Sequence, residues 1–559
     1  MYLGIDAGGT HTDAVLIQNG ILVASAKVLT CHENLLTSVR EVLAKLPSEA
    51  LSRVQRVTLG TTLAVNAIVQ GRTQKVGLIL SAGPGLSATR FAMGSHVHVV
   101  EGGLDHRGEE VTPLKLEPLR STVREWQAQG LEAFAVVGKF SPRNPAHEQA
   151  MAALVPPHAG YVVQGHQLSG QLHFPRRIAT AYYNAAVWRL HNDFLDAVAG
   201  ALAHAHIHAP VFLLKADGGA IALSQSRQQP VQSILSGPAA SVMGVMALGL
   251  EAEDALLLDI GGTTTDIALF AQGFPVLDRD GMRLQGPEAS VAGARSTLVR
   301  ALAFNTIGVG GDSALGVENG RVTVGPQRHG PAMAFGGAAP TLMDALIVAG
   351  HGVCGNVHAA EQGMSAWAVE HGLNAHDAAV QAVSVALETI ATAVRALQTR
   401  VNAHPVYTLA ALLEGKQVCP QKVWLVGGPA DTLRALVQEK LGLPVCVPAH
   451  ADVANAVGAA LTLPTAALEL FADTSRGVAR VPLLDVRVPI PRGFSLREAT
   501  DMAKKMLHDS LLPHNAHVGA IEVTEALLFA TLDARGAGGK DMRVSCQLVP
   551  GIVECVTSL

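Results

Sequence analysis

The stretch DIGGTTTDIALF, residues 259–270, places two glycines, three threonines and two aspartates between runs of apolar residues. A close copy, DAGGTHTDAVL at residues 6–16, lies near the start of the chain, and its alignment with residues 259–269 gives seven identities in eleven positions. Each copy follows a hydrophobic segment and leads into another, which is the pattern of strand, turn and strand. A duplicated α/β half placed face to face would bring two equivalent turns to one cleft. The repeat therefore predicts an α/β protein with two related lobes.

The composition of the two turns suits an anion. Glycine lets backbone amides approach a ligand without an intervening Cβ, and threonine adds a hydroxyl donor. A carboxylate beside a phosphate is repelled unless a cation lies between them, so Asp6 and Asp259 predict Mg²⁺ held largely through water. An ordinary hairpin is the alternative for one copy, but two copies at strand ends favour phosphate binding. The predicted phosphate-binding residues are Gly8, Gly9, Thr10, Thr12, Gly261, Gly262, Thr263, Thr264 and Thr265.

Two further glycine turns follow the second copy. The segment NTIGVGGDS, residues 305–313, adds Gly310 and Gly311 as phosphate-binding candidates. The segment GGPA, residues 427–430, lies between a predicted strand and a predicted helix, where a flat adenine ring could lie against the backbone. An ordinary loop is the alternative for either turn taken alone. The predicted adenosine-binding residues are Gly427, Gly428 and Ala430.

Composition narrows the classes of partner. With 41 Lys and Arg against 46 Asp and Glu, the net charge of −5 provides no basic surface for nucleic acid. The uncharged run at residues 228–250 contains prolines and glycines and is predicted to be a loop that leads into a small-residue helix, not a membrane span. The six cysteines form no C-x-x-C pair, and Met1 leads directly into an apolar strand without a secretory signal. These features predict a cytoplasmic protein.

Local patterns divide the chain into three parts. The Asn19-Gly20 pair predicts a two-residue hairpin, and residues 177–207 show the apolar spacing of a long helix. Arg177, Thr180 and Asn184 lie at i, i+3 and i+7 on that helix, as substrate or interdomain contacts or simply as packing residues. The strand pattern restarts after it, and a small-residue helix is expected at 452–463. We expect an N-terminal lobe at 1–190, a second lobe at 191–470 and a small C-terminal domain at 471–559.

The order of these features resembles the actin, Hsp70 and sugar-kinase superfamily. In that superfamily two phosphate turns are followed by an adenosine turn and a closing helix, here ADVANAVGAA at 451–460. Within that superfamily, the amino-acid sequence from residue 1 to about 460 is similar to the ATP-binding, A-type half of the hydantoinase/5-oxoprolinase family. The segments that carry the similarity are GIDAGGTHTDAVL (4–16), GTTLAVNAIVQG (60–71), FSPRNPAHEQA (140–150), ILSGPAASVMG (234–244), LLLDIGGTTTDIAL (256–269) and TIGVGGDSALGV (306–317).

The resemblance implies a fold and an activity. The fold would be two duplicated actin/Hsp70-like (ribonuclease H-like) ATPase lobes around a nucleotide cleft, with a small C-terminal α+β piece. Family members use ATP, with Mg²⁺, to activate the amide of a small cyclic compound such as 5-oxoproline or a hydantoin for hydrolysis, or a ketone for carboxylation. By the same resemblance Asp266 handles the attacking nucleophile. Asp13, its counterpart in the first copy, is either catalytic or a turn-stabilising residue.

Several alternatives remain open at this level. Complete enzymes of the family pair the ATP-binding half with a hydrolytic half or subunit, so a partner subunit is expected besides the small-molecule substrate. A small-molecule kinase of the same fold and a non-catalytic ATP-driven activator share the same ATP site, and a homo-oligomer is also open. Two positions depart from the family pattern. His11 stands where an aromatic residue is usual, and Asp312 replaces the last glycine of a triplet, either as a further Mg²⁺ ligand or as a residue that weakens phosphate binding.

Overall fold

The computed structural model of the chain describes residues 1–31, 35–83, 85, 87–156, 160–284, 295–403, 417–511, 520–532 and 538–557. In these residues four sheets of four to six strands form the framework of the molecule. Three small two-stranded sheets lie beside them, at Gly103–Leu104 with Glu110–Thr112, Arg283–Leu284 with Arg295–Ser296, and Leu315–Glu318 with Arg321–Val324.

The first sheet contains the first copy of the repeat. The central strand, Tyr2–Ala7, pairs antiparallel with His11–Gln18 and parallel with Arg56–Thr61. The sheet continues through Ile21–Leu29 on one side and through Val211–Leu214 and Ala220–Ala222 on the other. Asn19 and Gly20, both at positive φ (52° and 71°), join two of these strands as predicted, because this hairpin turn requires positive φ at both central residues.

The second sheet is entirely parallel and follows the order Tyr161–Gln164, Ala133–Gly138, Val76–Ser81, His96–Val99. Its two central strands are buried along their whole length, because helices cover both faces. Glu117–Ala128 and Ala146–Ala152 contribute to one core, and the long helix Phe174–His204 contributes to the other.

The third sheet repeats the arrangement of the first. Its central strand, Ala255–Ile260, pairs antiparallel with Thr265–Ala271 and parallel with Lys422–Val426. Val445–Cys446, Phe274–Pro275 and Phe304–Ile307 complete it. Asp6 lies opposite Asp13 in the first sheet, and Asp259 lies opposite Asp266 in the third. The predicted duplication is therefore present in topology and in register.

The fourth sheet forms the C-terminal domain. Its order is Val486–Pro489, Val478–Val481, Ala467–Asp473, Gly538–Leu548 and Ile521–Leu532, and the helix Leu496–Leu511 packs on it.

Two of the predicted domain boundaries fall inside helices or strands of the structure. The division after residue 190 falls inside the helix Phe174–His204, and the strands Val211–Leu214 and Ala220–Ala222 belong to the first sheet, so the first lobe extends to residue 222. The division at 471 falls inside the strand Ala467–Asp473, which belongs to the C-terminal sheet.

Two short helices join the lobes. Ser236–Ala247 and Ala454–Leu461 cross so closely that a Cβ on Gly458 would lie 2.1 Å from the Ala240 carbonyl oxygen. A Cβ on Gly4 would lie 2.0 Å from the Ala456 carbonyl oxygen, so the second helix also rests on the central strand of the first sheet. The predicted small-residue helix is thus confirmed, and its small residues allow this close crossing.

The helix Ala375–Asn402 is long and apolar enough to span a membrane by length and composition, and half of that apolar window is buried inside the protein. Its buried residues belong to the core of the third sheet, together with Leu342–Val348, Val357–Glu370 and Ala430–Leu441. The remaining helical segments are Leu35–Ala44, Ser48–Leu51, Leu63–Val69, Ala88–Phe91, Gly165–Leu168, Leu223–Ser226, Pro230–Ser233, Met333–Phe335, Ala451–Val453 and Pro482–Leu484.

Candidate functional site

The two glycine turns meet at the centre of the molecule. Each turn is closed by the same hydrogen bond, from Gly8 N to His11 O (3.1 Å) in the first copy and from Gly261 N to Thr264 O (2.9 Å) in the second. The tips touch at aligned positions, where the hydroxyls of Thr10 and Thr263 lie 3.3 Å apart. The repeat therefore places two equivalent turns against each other, as the sequence predicted.

Both tips offer backbone donors. Among the described residues, the amides of Gly9, Thr10, Gly262 and Thr263 make no hydrogen bond. Gly9 is exposed, and a Cβ there would meet no atom within 4 Å. Unpaired amides in successive turn residues form a concavity that attracts anions. The binding of phosphate by these turns stays a prediction that this geometry favours.

Two predicted phosphate-binding hydroxyls point elsewhere. Thr12 and Thr265, which are equivalent in the two copies, are both fully buried. The Thr12 hydroxyl lies 3.1 Å from that of Thr30, and the Thr265 hydroxyl donates to the Val309 carbonyl. Their contact with phosphate stays a prediction that this geometry disfavours, because each hydroxyl lies on the inner face of its strand. Thr10, Thr263 and Thr264 remain as candidates.

The third glycine turn supports the second one instead of contacting a ligand. Gly310 and Gly311 are buried, and their amides donate to Ser313 Oγ (2.8 Å) and to the Gly261 carbonyl (2.9 Å). A Cβ on Gly310 would lie 2.6 Å from the Gly262 carbonyl oxygen, so glycine is needed for this close approach. The phosphate-binding role of these two glycines stays a prediction that the geometry disfavours, because both amides already donate to other acceptors.

Four carboxylates lie behind the turns. Asp6, Asp13 and Asp259 are almost completely buried, and Asp266 is partly exposed. Ser241 and Asn455 donate to Asp259, and Thr306 donates to Asp266 (2.5 Å). The sequence did not single out these three donors, although Ser241 and Thr306 lie in segments that carried the family resemblance and Asn455 lies in the closing helix that carried the superfamily resemblance.

Burial and the repulsion between like charges raise the pKa values of these carboxyl groups. Burial, with the charges of Asp13 and Asp259, raises the pKa of Asp6 to about 7. Burial and the charge of Asp259 raise the pKa of Asp266 to about 7, and burial also raises the pKa of Asp259. Like charges that crowd together at a buried position favour either protonation or a bound cation.

The carboxylates fit a hydrated Mg²⁺ ion. Asp6 Oδ1 is buried and makes no hydrogen bond, so one acceptor is left for a cation or its water. In the described part of the chain, no three His, Cys, Asp or Glu side chains are grouped to hold a metal directly. Mg²⁺ usually keeps several waters and takes only one or two protein carboxylates together with substrate phosphates. Asp6 and Asp259 are the residues that would hold it.

Asp13 is tied to its own sheet. Lys27 lies 2.9 Å from the Asp13 carboxylate and also donates to the Asp452 carbonyl. Burial nevertheless raises the pKa of Asp13 to about 6, with Lys27 opposing the shift. This pairing favours the turn-stabilising alternative for Asp13 over a catalytic one.

The fourth glycine turn lies at the end of the central strands of the third sheet. Gly427, at φ +96°, passes so close to the second copy that a Cβ would lie 2.2 Å from the Ile260 carbonyl oxygen. Gly428 is exposed with open space beside it, so a ring could rest there. Ala430 is buried as the first residue of the helix Ala430–Leu441, so its contact with adenosine stays a prediction that its burial disfavours.

Asp312 lies beside the second turn and is neutralised by an arginine. Arg328 Nε and Nη2 donate to Asp312 Oδ2 at 3.1 and 2.9 Å. A Cβ on Gly262 would lie 2.7 Å from the same oxygen. Because Arg328 already binds this carboxylate, Asp312 is a weaker candidate for a metal ligand. The positive charge of Arg328 also offsets the negative charge of Asp312 beside the turn that is predicted to bind phosphate.

His11, on the first turn, lies near the same charges. Burial and the positive charges of Lys27 and Arg328 lower the pKa of His11, with Asp312 opposing.

Arg177, Thr180 and Asn184 are packing residues. All three are buried. Arg177 donates to the carbonyls of Gly138, Lys139 and Gln171, Thr180 accepts from Leu298 N, and Asn184 bonds to Tyr161, Gln228 and Val231. Thr180 and Asn184 join the long helix to residues beyond 222, outside the first lobe, so the packing and interdomain alternatives are both favoured over contact with a substrate.

Comparison with known proteins places the chain in a family. A model described as hydantoinase/oxoprolinase matches residues 177–467, and one described as hydantoinase/oxoprolinase N-terminal region matches residues 2–157. The chain belongs to the hydantoinase/oxoprolinase family. Among curated family relatives, the caprolactamase subunit alpha of Pseudomonas jessenii is 25% identical over 62% of this chain and 54% of that protein. The acetophenone carboxylase gamma subunit of Aromatoleum aromaticum is 24% identical over 62% of this chain and 53% of that protein.

The chain thus matches about half the length of these curated family relatives. Two solved structures share its fold across almost the whole chain. A nucleotide-free acetone carboxylase superimposes with a TM-score of 0.72 at 18% identity, covering 99% of this chain and 88% of that one. The ATP-dependent caprolactamase from Pseudomonas jessenii gives 0.70 at 20% identity, covering 100% and 89%. The predicted fold class, an α/β protein of two duplicated lobes with a C-terminal α+β piece, is confirmed.

Proposed function

We propose that the chain uses ATP to activate the amide of a small cyclic compound, of the hydantoin or 5-oxoproline type, for hydrolysis. The observation that carries the proposal is the meeting of the two turns at Thr10 and Thr263, with unpaired amides at both tips and carboxylates behind them. Phosphoryl transfer depends mainly on positioning and charge stabilisation, and this arrangement provides both.

The chemistry divides into three bond changes. The amide oxygen takes the γ-phosphoryl group as the bond between the γ-phosphorus and the bridging oxygen of ATP breaks, and ADP leaves. Water then attacks the activated carbon and the ring C–N bond opens, which gives an amine and an acyl phosphate. A second water hydrolyses the acyl phosphate to a carboxylate and inorganic phosphate. A cation at Asp6 and Asp259 would supply charge neutralisation to the phosphates. Asp266, with its pKa raised to about 7, is placed to accept a proton from the attacking group near neutral pH.

The proposal includes a partner. The names of the caprolactamase, acetophenone carboxylase and acetone carboxylase relatives describe them as subunits. We therefore propose that ring opening is completed with a hydrolytic partner subunit, and that the present chain supplies the ATP-dependent step.

ATP binding is tested by thermal unfolding of the chain with Mg-ATP, with Mg-GTP and without nucleotide. A ligand that binds only the folded chain stabilises it by about 2.7 kcal/mol at a hundred times its Kd. We expect a saturable shift with Mg-ATP that exceeds the shift with Mg-GTP. No shift at millimolar Mg-ATP would overturn the proposal.

The outcome of the reaction is tested by product analysis with 5-oxoproline, hydantoin and a simple lactam, with and without the candidate partner. Amide activation followed by hydrolysis gives free phosphate and an opened ring in equal amounts. A stable phosphorylated product without phosphate release would assign the chain to the kinase alternative.

A further inference from the structure

The segment FSPRNPAHEQA, residues 140–150, lies away from the two turns, where the second sheet meets the C-terminal domain. A cavity opens between them. It is lined by Ser141 and His166 on the side of the second sheet and by Arg480, Asp485 and Arg487 on the C-terminal side. The function proposed above uses none of these residues.

The two arginines form an unfavourable pair in the absence of a ligand. Arg480 and Arg487 lie directly opposite each other on the antiparallel strands Val478–Val481 and Val486–Pro489, so both side chains extend on the same face. Neither makes an ion pair with a carboxylate of the described residues, and this includes Asp485 at the same cavity. Burial and the charges of Arg487 and Arg476 lower the pKa of Arg480, with Asp485 opposing.

Two buried side-chain atoms of residues that line this cavity make no hydrogen bond within the described part of the chain. Ser141 is fully buried and its Oγ makes no hydrogen bond. His166 is 2% exposed, and its Nε2 also makes none. The other ring nitrogen, Nδ1, bonds to Glu148, which accepts from the amides of Gly138 and His166 as well, so the ring orientation is fixed. Burying polar atoms without partners is costly, which indicates that something else satisfies them.

We propose that this cavity binds a small oxyanion, a phosphate or a carboxylate, between the second sheet and the C-terminal domain. Arg480 and Arg487 offset its charge, and Ser141 Oγ donates to its oxygens. His166 Nε2 donates as part of an imidazolium, because Nδ1 of the same ring already donates to the Glu148 carboxylate. A guanidinium pair suits the geometry of such anions. The bound anion joins two parts of the chain that are otherwise linked by Arg143 and Asp541, so it stabilises their contact. The proposal is independent of the ATP site.

The first test measures thermal unfolding of the full chain against increasing phosphate or acetate, at constant ionic strength set with sodium chloride. The variants are Arg480→Gln and Arg487→Gln, and the control is Arg497→Gln, an exposed arginine on the helix Leu496–Leu511. We expect a saturable rise in Tm for the wild type and the control. Each cavity variant should need at least about tenfold more anion, because a charge-assisted hydrogen bond is lost.

Thermal unfolding without added anion shows whether a cavity variant still folds, and so separates a folding defect from a loss of anion binding. Without added anion, Arg487→Gln should unfold at a higher temperature than the wild type, because it removes the repulsion across the strand pair. Phosphate bound at the glycine turns is common to all the chains, so the difference between cavity variants and control reports on the cavity.

The second test needs no variant. Phenylglyoxal modifies exposed and reactive arginines, and peptide mass spectrometry locates the products. The anion should protect Arg480 and Arg487 and leave Arg497 unprotected. A response to phosphate alone assigns a phosphate ligand, and a response to acetate alone assigns a carboxylate. Equal anion responses in all variants, or equal modification of the three arginines with and without anion, would overturn the proposal.

Discussion

At the scale of single residues, the position of Asp266 distinguishes it from the other three carboxylates. It is partly exposed, it lies on the second turn's outgoing strand, and within the described residues its one side-chain hydrogen bond comes from the Thr306 hydroxyl. Its equivalent, Asp13, is instead paired with Lys27. Two residues that are identical in sequence therefore lie in different environments, and Asp266 is the one that we propose exchanges a proton with a substrate.

Replacement of Asp266 by Asn should separate binding from turnover. We expect nucleotide binding to persist, because the phosphate turns and Asp6 are untouched, while ATP turnover falls by about 10²-fold or more, the usual contribution of a general base. Binding is measured by thermal shift and turnover by phosphate release. Asp193→Asn, at an exposed position on the long helix, is the control. Full turnover in Asp266→Asn would remove this residue from the mechanism.

Asp6 should make the stability of the metal-free chain depend on pH. Its pKa of about 7 in the folded chain exceeds the ordinary value of 3.8, so the folded state holds a proton that the unfolded state releases between about pH 4 and 7. The contribution is complete below pH 4 and is lost as the pH rises through 7. Without Mg²⁺, Asp6→Asn should therefore stabilise the chain at pH 8 by about 1–3 kcal/mol and change little at low pH.

The measurement is thermal or urea unfolding of both chains from pH 5 to 8.5, with EDTA and then with Mg²⁺. The difference between the chains should grow with pH in EDTA and shrink when Mg²⁺ is added, because the cation replaces the proton on Asp6. Parallel pH profiles would contradict the assigned cause. Asp193→Asn should give a profile that follows the wild type at every pH.

At the scale of elements, the crossing of Ser236–Ala247 with Ala454–Leu461 depends on glycine. Gly458→Ala would push a methyl group to 2.1 Å from the Ala240 carbonyl oxygen and 2.4 Å from Gly244 N, both backbone atoms that cannot move aside alone. We expect a loss of about 1–3 kcal/mol or more, the usual cost of overpacking. Because Asn455, on the same helix, donates to Asp259, nucleotide binding should weaken as well.

Gly200→Ala is the matched control. Gly200 lies in the helix Phe174–His204 with no atom within 4 Å of a Cβ, so alanine should stabilise that helix by about 0.5–1 kcal/mol. The two substitutions are chemically identical and should shift the urea midpoint in opposite directions. A Gly458→Ala chain as stable as the wild type would show that the helices separate easily at this crossing.

The strand elements also show what the sequence could have revealed. Side chains alternate along a strand, so once Asp13 and Asp266 face the cleft, their neighbours Thr12 and Thr265 must face inward. Strand periodicity alone could have removed both threonines from the predicted site. Strand periodicity could not have predicted the contacts of Gly310 and Gly311, because a Gly-Gly pair can contact either a ligand or a neighbouring backbone segment. Arg328 lies in no recognisable motif, so its pairing with Asp312 required the structure.

At the scale of the whole molecule, the internal repeat was enough to predict two lobes and one cleft, because a duplicated strand–turn–strand implies a duplicated sheet. Domain limits were less predictable. Val211–Leu214 joins the first sheet beside Arg56–Thr61, about 150 residues earlier in the chain, and nothing local in its apolar pattern specifies that partner. The same holds for the contact of the C-terminal domain, which includes ion pairs between distant segments, such as Arg143 with Asp541 and Arg476 with Glu109.

The strongest of these contacts is the ion pair between Arg143 and Asp541, with two hydrogen bonds of 2.9 and 2.7 Å. The side chains are 16% and 26% exposed, and the guanidinium lies over the Phe471 ring. We expect a double-mutant cycle with Arg143→Met and Asp541→Asn to give a coupling of about 1–3 kcal/mol, because a partly buried bidentate pair is weakly screened. Methionine keeps an apolar side chain over the ring.

The exposed pair Lys115–Glu101, at 2.7 Å with side chains 62% and 63% exposed, provides the comparison. Its cycle should give no more than about 0.5 kcal/mol, since a solvated pair gains little. Both cycles are measured by urea unfolding, and hydrogen exchange of the strand Gly538–Leu548 then locates the effect. Faster exchange there in Arg143→Met, with the first and third sheets unchanged, would show that this pair holds the C-terminal domain on the second sheet. Equal couplings in the two cycles would mean that apolar packing around Phe471 holds the domain in place instead.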